Sequence, residues 1–369
     1  MSSSIDPLRP RICLNMIVKN ESAVIERCLT SVRPHIDAWV IVDTGSSDDT
    51  REKIHSALEG IPGSLYEREW RNFGHNRSEA IALAYASGCD YFLFIDADDM
   101  LLTPPDFQWP ALDADVYELT LNYGSHRYAR ASLVSSKLQW RWVGVLHEYP
   151  ESTPSASSHG ALPQPQIRSS TEGARSRDPY KYDHDAEMLL QGLKDEPGNA
   201  RYQFYLAQSY RDAGRPEQAL IEYEKRVAMG GWEEEVWRSL FEAARLKEML
   251  ARPLTEIVQA FLVAFANRPA RAEPLAELAR IARINNQFAQ AYQYARHATT
   301  VTSSADRLFV DLECYSFRVW DELAVAAYWT GRYQECADVC IRLLADGAVP
   351  AAHVDRVIAN RNFAQAQLR

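Results

Sequence analysis

Three short apolar runs each break off at an acidic segment before residue 100, and this pattern restricts the fold more than any other feature of the chain. Residues 12–18 lead into Lys19-Asn20-Glu21, residues 39–42 into Asp43, and residues 91–95 into Asp96-Ala97-Asp98-Asp99. Runs this short and this apolar read as strands buried on both faces. Amphipathic stretches at 23–32, 49–58 and 76–86 read as helices, the second following an N-capping turn at 44–50. A further short strand fits 64–69. Such alternation predicts a mostly parallel α/β sheet with helices on its faces, and ligands of such sheets bind beyond the carboxyl ends of the strands. Glu21, Asp43 and the Asp96–Asp99 cluster are therefore expected on one rim, as a metal–nucleotide site requires.

From Asp115 the pattern changes. Segments 116–122, 127–134 and 138–142 read as β-segments joined by turns, and 151–176, rich in Ser, Pro, Thr and Gly, reads as a loop or linker. The second half is helical and carries an internal repeat. Leu206-Ala207, Leu278-Ala279 and Leu323-Ala324 each stand eight residues before Gly214, Asn286 and Gly331, with a small or thiol-bearing residue about five later. The unit is a helix, a tight turn and a second helix. The gap between Gly214 and Asn286 holds two such units, so a degenerate one is expected near 237–265, and an insertion near 300–313. The expected domains are 1–176 and 177–369.

Bulk properties narrow the function. The chain has 369 residues, 46% hydrophobic, with a formal net charge of -10. That acidity argues against general nucleic-acid binding, although a metal ion can reverse the field around a phosphorylated ligand. The N-terminus has no apolar signal region, and no run reaches the roughly 18 apolar residues of a membrane span; the expected location is the cytoplasm. Six scattered cysteines without a CxxC pair fit a reducing compartment, with Cys336 and Cys340 as core residues rather than zinc ligands.

The D-x-D at Asp96 and Asp98 offers two carboxylates to a hard cation beside a sheet edge. Asn15 to Glu21, then Asp43 to Thr50, then Phe73-Gly74-His75-Asn76-Arg77, then D-x-D after the run 91–95 resemble, in this order, glycosyltransferase family 2, whose catalytic domain has the GT-A fold. The helical half resembles the tetratricopeptide repeat family, which forms a superhelix. Family 2 implies a nucleotide-sugar donor, UDP-linked here, with Mn²⁺ or Mg²⁺. It implies that Asp43 meets the base edge, that Asn20 and Glu21 line the nucleoside pocket, and that Ser46 is among the donor-binding residues. Arg77 stands near the sugar and diphosphate, Asp96 nearer the ribose or sugar, and Asp98 on the metal.

Trp142-Val-Gly-Val-Leu-His147-Glu148 adds a metal ligand, His147, beside a general base, Glu148, with Asp99 the second choice of base. The family's usual Glu-Asp pair is missing from the first domain. The combination of domains resembles bacterial peptide S-glycosyltransferases of the sublancin type. On that resemblance Arg175 and Ser176, at the domain junction, close on the diphosphate. The acceptor is a peptide, a protein or a glycan, and the repeats serve it or a homodimer. Two other classes fit parts of the pattern: a peptide-binding repeat scaffold with a non-catalytic nucleotide-sugar domain, and a nucleotidyltransferase. The latter lacks its Gly-rich basic loop after the first strand.

Overall fold

The computed structural model describes residues 9–123, 126–302, 304, 306 and 308–369. The chain divides into two compact units at Asp195/Glu196, so the helix Lys181–Asp195 goes with the first.

The first unit is built on an eight-stranded mixed sheet. Its strands are β1 (Ile12–Val18), β2 (Ala38–Asp43), β3 (Gly63–Glu67), β4 (Tyr91–Phe94), β5 (Met100–Leu102), β6 (Val116–Tyr123) and β7 (His126–Ser135), with β10 (His159–Arg168) completing it. A separate ribbon pairs β8 (Gln139–Val143) with β9 (Tyr149–Thr153). The sheet order is β3-β2-β1-β4-β7-β6-β10-β5, parallel through the first four strands. The three apolar runs are continuous because both faces of β1, β2 and β4 are covered. Leu14, Met16 and Ile41 pack with Ile25, Leu29 and Val32 of helix α1 (Ile25–Val32), below helix α2 (Thr50–Ala57). Cys13, Val40, Phe92 and Phe94 pack with Ile81 and Ala84 of helix α3 (Phe73–Ala84) and with Trp140. The one polar side chain inside β1 is used: Asn15 Nδ2 donates to the carbonyls of Ala80 (2.9 Å) and Val40 (3.3 Å), tying α3 to the sheet.

Helix α3 starts at Phe73, three residues earlier than its apolar spacing suggested, because Asn72 caps it by accepting the His75 N–H at 2.8 Å. Its first turn lies against the loop after β8. A Cβ on Gly74 would come within 2.2 Å of the Gly144 carbonyl, so only glycine permits this approach.

The expected linker at 151–176 is largely not one. It supplies β9 and β10, and β10 lies between β6 and β5 in the main sheet. Pro163 and Pro165 account for the misreading. They fall where the register with β6 shifts, between Leu162 and Ile167, and proline, lacking a ladder donor, is tolerated at such an irregularity.

After α4 (Lys181–Asp195), which closes the first unit, the second unit is built of antiparallel helix pairs. They are α5 (Ala200–Asp212) with α6 (Pro216–Met229), α7 (Glu233–Met249) with α8 (Leu254–Asn267), and α9 (Glu273–Ile284) with α10 (Phe288–Ala298). Then come α11 (Val319–Trp329) with α12 (Tyr333–Ala345), and α13 (Val354–Ala366). Gly214, Asn286 and Gly331 take left-handed φ values of 71°, 58° and 77°. In each turn the next residue donates back to the first helix: Arg215 to Tyr210, Gln287 to Ala282, Arg332 to Ala327. This is the helix-terminating bond that a left-handed residue makes possible. The degenerate unit is α7–α8. Ala251 holds its left-handed position (φ 51°), and Arg252 donates to Lys247 in the same way. The small residues of the motif, among them Ala207, Ala219, Ala279, Ala295, Ala324 and Cys336, are wholly buried where helices meet. All six cysteines are buried free thiols. Among the described residues no helix is long and apolar enough to cross a membrane.

Candidate active site

The carboxyl ends of β1, β2 and β4 bring the three acidic segments to one rim, since the strands are adjacent and parallel. After β1 the chain turns through Asn20 at φ 57°. The Asn20 N–H donates to Ser46 Oγ (2.9 Å), and Asn20 Oδ1 accepts the Ser47 N–H (2.8 Å). Glu21 N–H donates to Thr50 Oγ1 at 2.8 Å. The loops after β1 and β2 are thus sewn together.

Asp43 is 2% exposed. Its Oδ1 accepts the N–H groups of Gly45 (2.8 Å) and Ser46 (2.7 Å), whereas its Oδ2 is buried without a partner among the described residues. A buried acceptor left open in this way is costly unless a ligand donor fills it.

The acidic cluster after β4 is not a uniform patch. Five side chains form one chain of alternating charge: Glu148, Arg77, Asp96, Arg130 and Asp99. Arg77 Nε lies 2.7 Å from Glu148 Oε1 and its Nη2 2.5 Å from Asp96 Oδ1. Arg130 Nη1 lies 3.0 Å from Asp96 Oδ2 and its Nη2 3.4 Å from Asp99 Oδ2. The Arg77 guanidinium also sits 5.0 Å from the centre of the Trp142 ring. Burial pushes the Asp96 carboxyl up, but the two guanidinium groups outweigh it and hold Asp96 well below the usual carboxylate range. Burial and the charge of Asp96 instead lift Asp99 to about 7.

Asp98 and Glu21 stand outside this chain and form no ion pair among the described residues. Asp98 Oδ2 accepts the Gly173 N–H at 3.2 Å, and Glu21 Oε2 accepts the Ala174 N–H at 3.1 Å. A Cβ on Gly173 would lie 3.0 Å from Asp98 Oδ2 and 3.3 Å from Glu21 Oε2, so the two carboxylates flank one spot. Burial, and after it the charge of Asp96, raises Asp98. Burial lifts Glu21 to about 7, with Asp98 adding to it.

Among the described residues no three His, Cys, Asp or Glu side chains come together as a cage for a metal ion. A cation here would take one or two carboxylates and complete its shell with phosphate and water, the usual habit of Mg²⁺. Asp98 and Glu21 fit that donor set. Asp96 does not, because both of its oxygens are already engaged by arginine.

The expected site residues are thus mostly gathered. Asn20, Glu21, Asp43, Ser46, Arg77, Asp96, Asp98 and Asp99 share the rim, and Glu148 joins them through Arg77. His147 is exposed beside Glu148, at φ 54°. The segment carrying Arg175 and Ser176 reaches the rim, but through the backbone of Gly173 and Ala174. The Arg175 guanidinium turns to Asp185 and lies over Phe73, 4.6 Å from the ring centre, and Ser176 is exposed. Sequence reasoning missed Arg130: it lies far along the chain, on the antiparallel neighbour of β4, and no spacing marks it.

Comparison with known proteins assigns a family to part of the first unit. Residues 13–107 match the profile described as glycosyl transferase family 2. The chain is 35% identical over 94 residues to the TPR repeat-containing protein Synpcc7942_0270 of Synechococcus elongatus, covering 25% of this chain and 21% of that protein. It is 32% identical over 92 residues to the SPbeta prophage-derived glycosyltransferase SunS of Bacillus subtilis, covering 25% and 21%. The chain therefore spans about a fifth of the length of these relatives. Among solved structures, BtubC from P. vanneervenii aligns over 53% of this chain and 85% of its own, at 15% identity and a TM-score of 0.40. A tetratricopeptide repeat protein from Parabacteroides merdae aligns over 51% and 71%, at 16% identity and 0.37.

Proposed function

Taking as premise that the first unit carries a family 2 glycosyltransferase domain and the second a stack of tetratricopeptide-like helix pairs, we propose that this chain is an inverting glycosyltransferase. It moves a sugar from a UDP-linked donor to a peptide, protein or glycan acceptor. The observation that carries this reading is the pair of open anionic groups on the rim: Asp43 with a buried oxygen and Asp98 with no arginine, lysine or histidine paired to its carboxylate among the described residues.

The base edge of the nucleotide presents an N–H to Asp43 Oδ2, while the Asn20–Ser46 loops close around the nucleoside. Asp98 and Glu21, with His147 as a further candidate, would hold Mn²⁺ or Mg²⁺, which when bound supplies positive charge against the leaving diphosphate. Arg77 faces the sugar and diphosphate side from α3. Glu148 takes the proton of the acceptor's O–H or S–H. The freed nucleophile bonds to the anomeric carbon from the face opposite the diphosphate, the anomeric C–O bond breaks, and UDP departs. Glu148 is favoured over Asp99 because its side chain is 11% exposed against 2%, and because Asp99 is already held by Arg130. The Arg77 guanidinium, 2.7 Å away, fixes where the Glu148 carboxylate lies. The second unit supports a peptide or protein acceptor with a charged hollow of about 490 Å³, lined by Arg280, Arg283, Arg318 and Arg356 and by Glu277 and Asp321.

A screen of nucleotide sugars for metal-dependent binding and hydrolysis tests the reading. One UDP-sugar should be turned over with Mn²⁺ or Mg²⁺. Asp98→Ala should reduce that turnover by at least about 1000-fold, the worth of several kcal/mol of transition-state charge stabilisation, without lowering Tm. Full activity in Asp98→Ala refutes the site. No binding of any nucleotide sugar leaves a repeat scaffold.

A further inference from the structure

Resting on that reading, we propose that Arg130 is the positioning residue that decides which carboxylate of the Asp96–Asp99 cluster is open to a cation. Three aspartates stand within four residues of one another. Chemistry alone gives no preference among them, because each is a hard oxygen donor at the end of the same strand. The fold imposes one.

Strand β7 runs antiparallel to β4, with Leu133 opposite Leu93. Residues that precede Leu133 therefore lie beyond the carboxyl end of β4, where the aspartates are. Arg130 reaches the cluster from there with both terminal nitrogens, one to Asp96 Oδ2 at 3.0 Å and one to Asp99 Oδ2 at 3.4 Å. Arg77 takes the other Asp96 oxygen from the opposite side. Asp96 is then fully engaged and Asp99 is half-engaged and buried, while among the described residues the Asp98 carboxylate accepts a neutral backbone N–H and no guanidinium. A cation approaching the rim is repelled by the guanidinium beside Asp96 and Asp99 and attracted by Asp98, whose carboxylate forms no ion pair among the described residues, the nearby Arg27 guanidinium donating to its backbone carbonyl instead. Arg130 touches neither of the groups proposed to react, so it acts through the aspartates it occupies.

The test uses the full chain and Mn²⁺ binding in the presence of UDP, read by electron paramagnetic resonance from the loss of the free-ion signal. Asp98→Ala should weaken Mn²⁺ binding about a hundredfold, since Arg130 keeps the neighbouring aspartates closed. Adding Arg130→Gln, which removes the charge and keeps N–H donors, should recover at least about tenfold of that loss. Adding Arg130→Lys, which keeps the charge, should recover none. No recovery with Gln in a chain whose circular dichroism is unchanged, or equal recovery with Lys, overturns the proposal. Asp99→Asn in the otherwise unaltered chain covers the case of a glutamine variant that does not fold. It should leave Mn²⁺ affinity within about threefold, and a loss as large as that of Asp98→Ala overturns the proposal independently. Undiminished Mn²⁺ binding in Asp98→Ala alone overturns the underlying site reading as well, so the two failures are separable.

Discussion

Both units bury arginine among carboxylates, but they finish the job differently. In the helical unit Arg271 is 0% exposed, lies 3.7 Å from the centre of the Trp237 ring, and donates to Glu273, Asp306 and the carbonyls of Leu308 and Phe309. Glu273 also accepts from Tyr315, and both oxygens of Asp306 accept from Arg268. Every charge there has its partner, and the network clamps the insertion after α10 against the helices. On the rim of the sheet the chain from Glu148 to Asp99 is almost as well paired, yet beside it, among the described residues, Asp43 Oδ2 has no partner and Asp98 forms no ion pair. A network that closes on itself is structural. One that leaves two of its carboxylates without an ion-pair partner is, on the reading proposed above, where a ligand would bind.

Breaking the closed network should cost stability and spare the site. Arg271→Ala leaves Glu273 buried without its cation and should lower unfolding free energy by about 3–5 kcal/mol, measured in denaturant, while UDP affinity is unchanged. A smaller loss than 1 kcal/mol would erase the distinction between the networks.

Altering the open network should do the reverse. Asp43→Asn puts an amide where the unpaired oxygen stands, and nucleotide affinity by calorimetry should fall about ten- to a hundredfold, the worth of one charge-assisted hydrogen bond. Tm should stay level or rise, because a buried charge has been removed. A fall in Tm with unchanged affinity would make Asp43 structural.

Within the helical unit the repeat turns can be compared with one another. Ala251 occupies a left-handed position that glycine or asparagine fills in the other three turns. Ala251→Gly should therefore stabilise the protein, by about 1 kcal/mol, whereas glycine in a right-handed helix position would destabilise. Any loss of Tm would show that the turn is not under strain.

The smallest signal is expected in acid. Hydrogen bonds from Arg268, and from Arg271 behind it, hold Asp306 below the ordinary value of 3.8. Its folded value is the depressed one, so its contribution is complete above 3.8 and is lost as pH falls through the lower, folded value. Denaturant titrations across that window should show less loss for Asp306→Asn than for the unaltered chain.

Much of this was legible in advance, and unevenly. The strands at 12–18, 39–42 and 91–95 could be read because burial on both faces leaves a continuous apolar run. The turns at Gly214, Asn286 and Gly331 could be read because few residues accept a left-handed backbone. Ala251 escaped the repeat pattern by paying strain where its relatives pay none. Strand β10 escaped because its prolines sit at a register shift, so composition pointed to a linker while the backbone hydrogen bonds said otherwise.

Sequence by itself determined the fold class, the acidic strand ends and their meeting on one rim, since local periodicity and the parallel crossover rule act over short stretches of chain. It could not divide labour among Asp96, Asp98 and Asp99, three identical side chains within four residues. That division came from tertiary structure alone: one arginine on α3, 19 residues from Asp96, a second on a strand 31 to 34 residues away, delivered by antiparallel pairing, and the backbone N–H of Gly173, 75 residues from Asp98. Electrostatic partnership depends on distance through space, and nothing in a residue's neighbours along the chain records it.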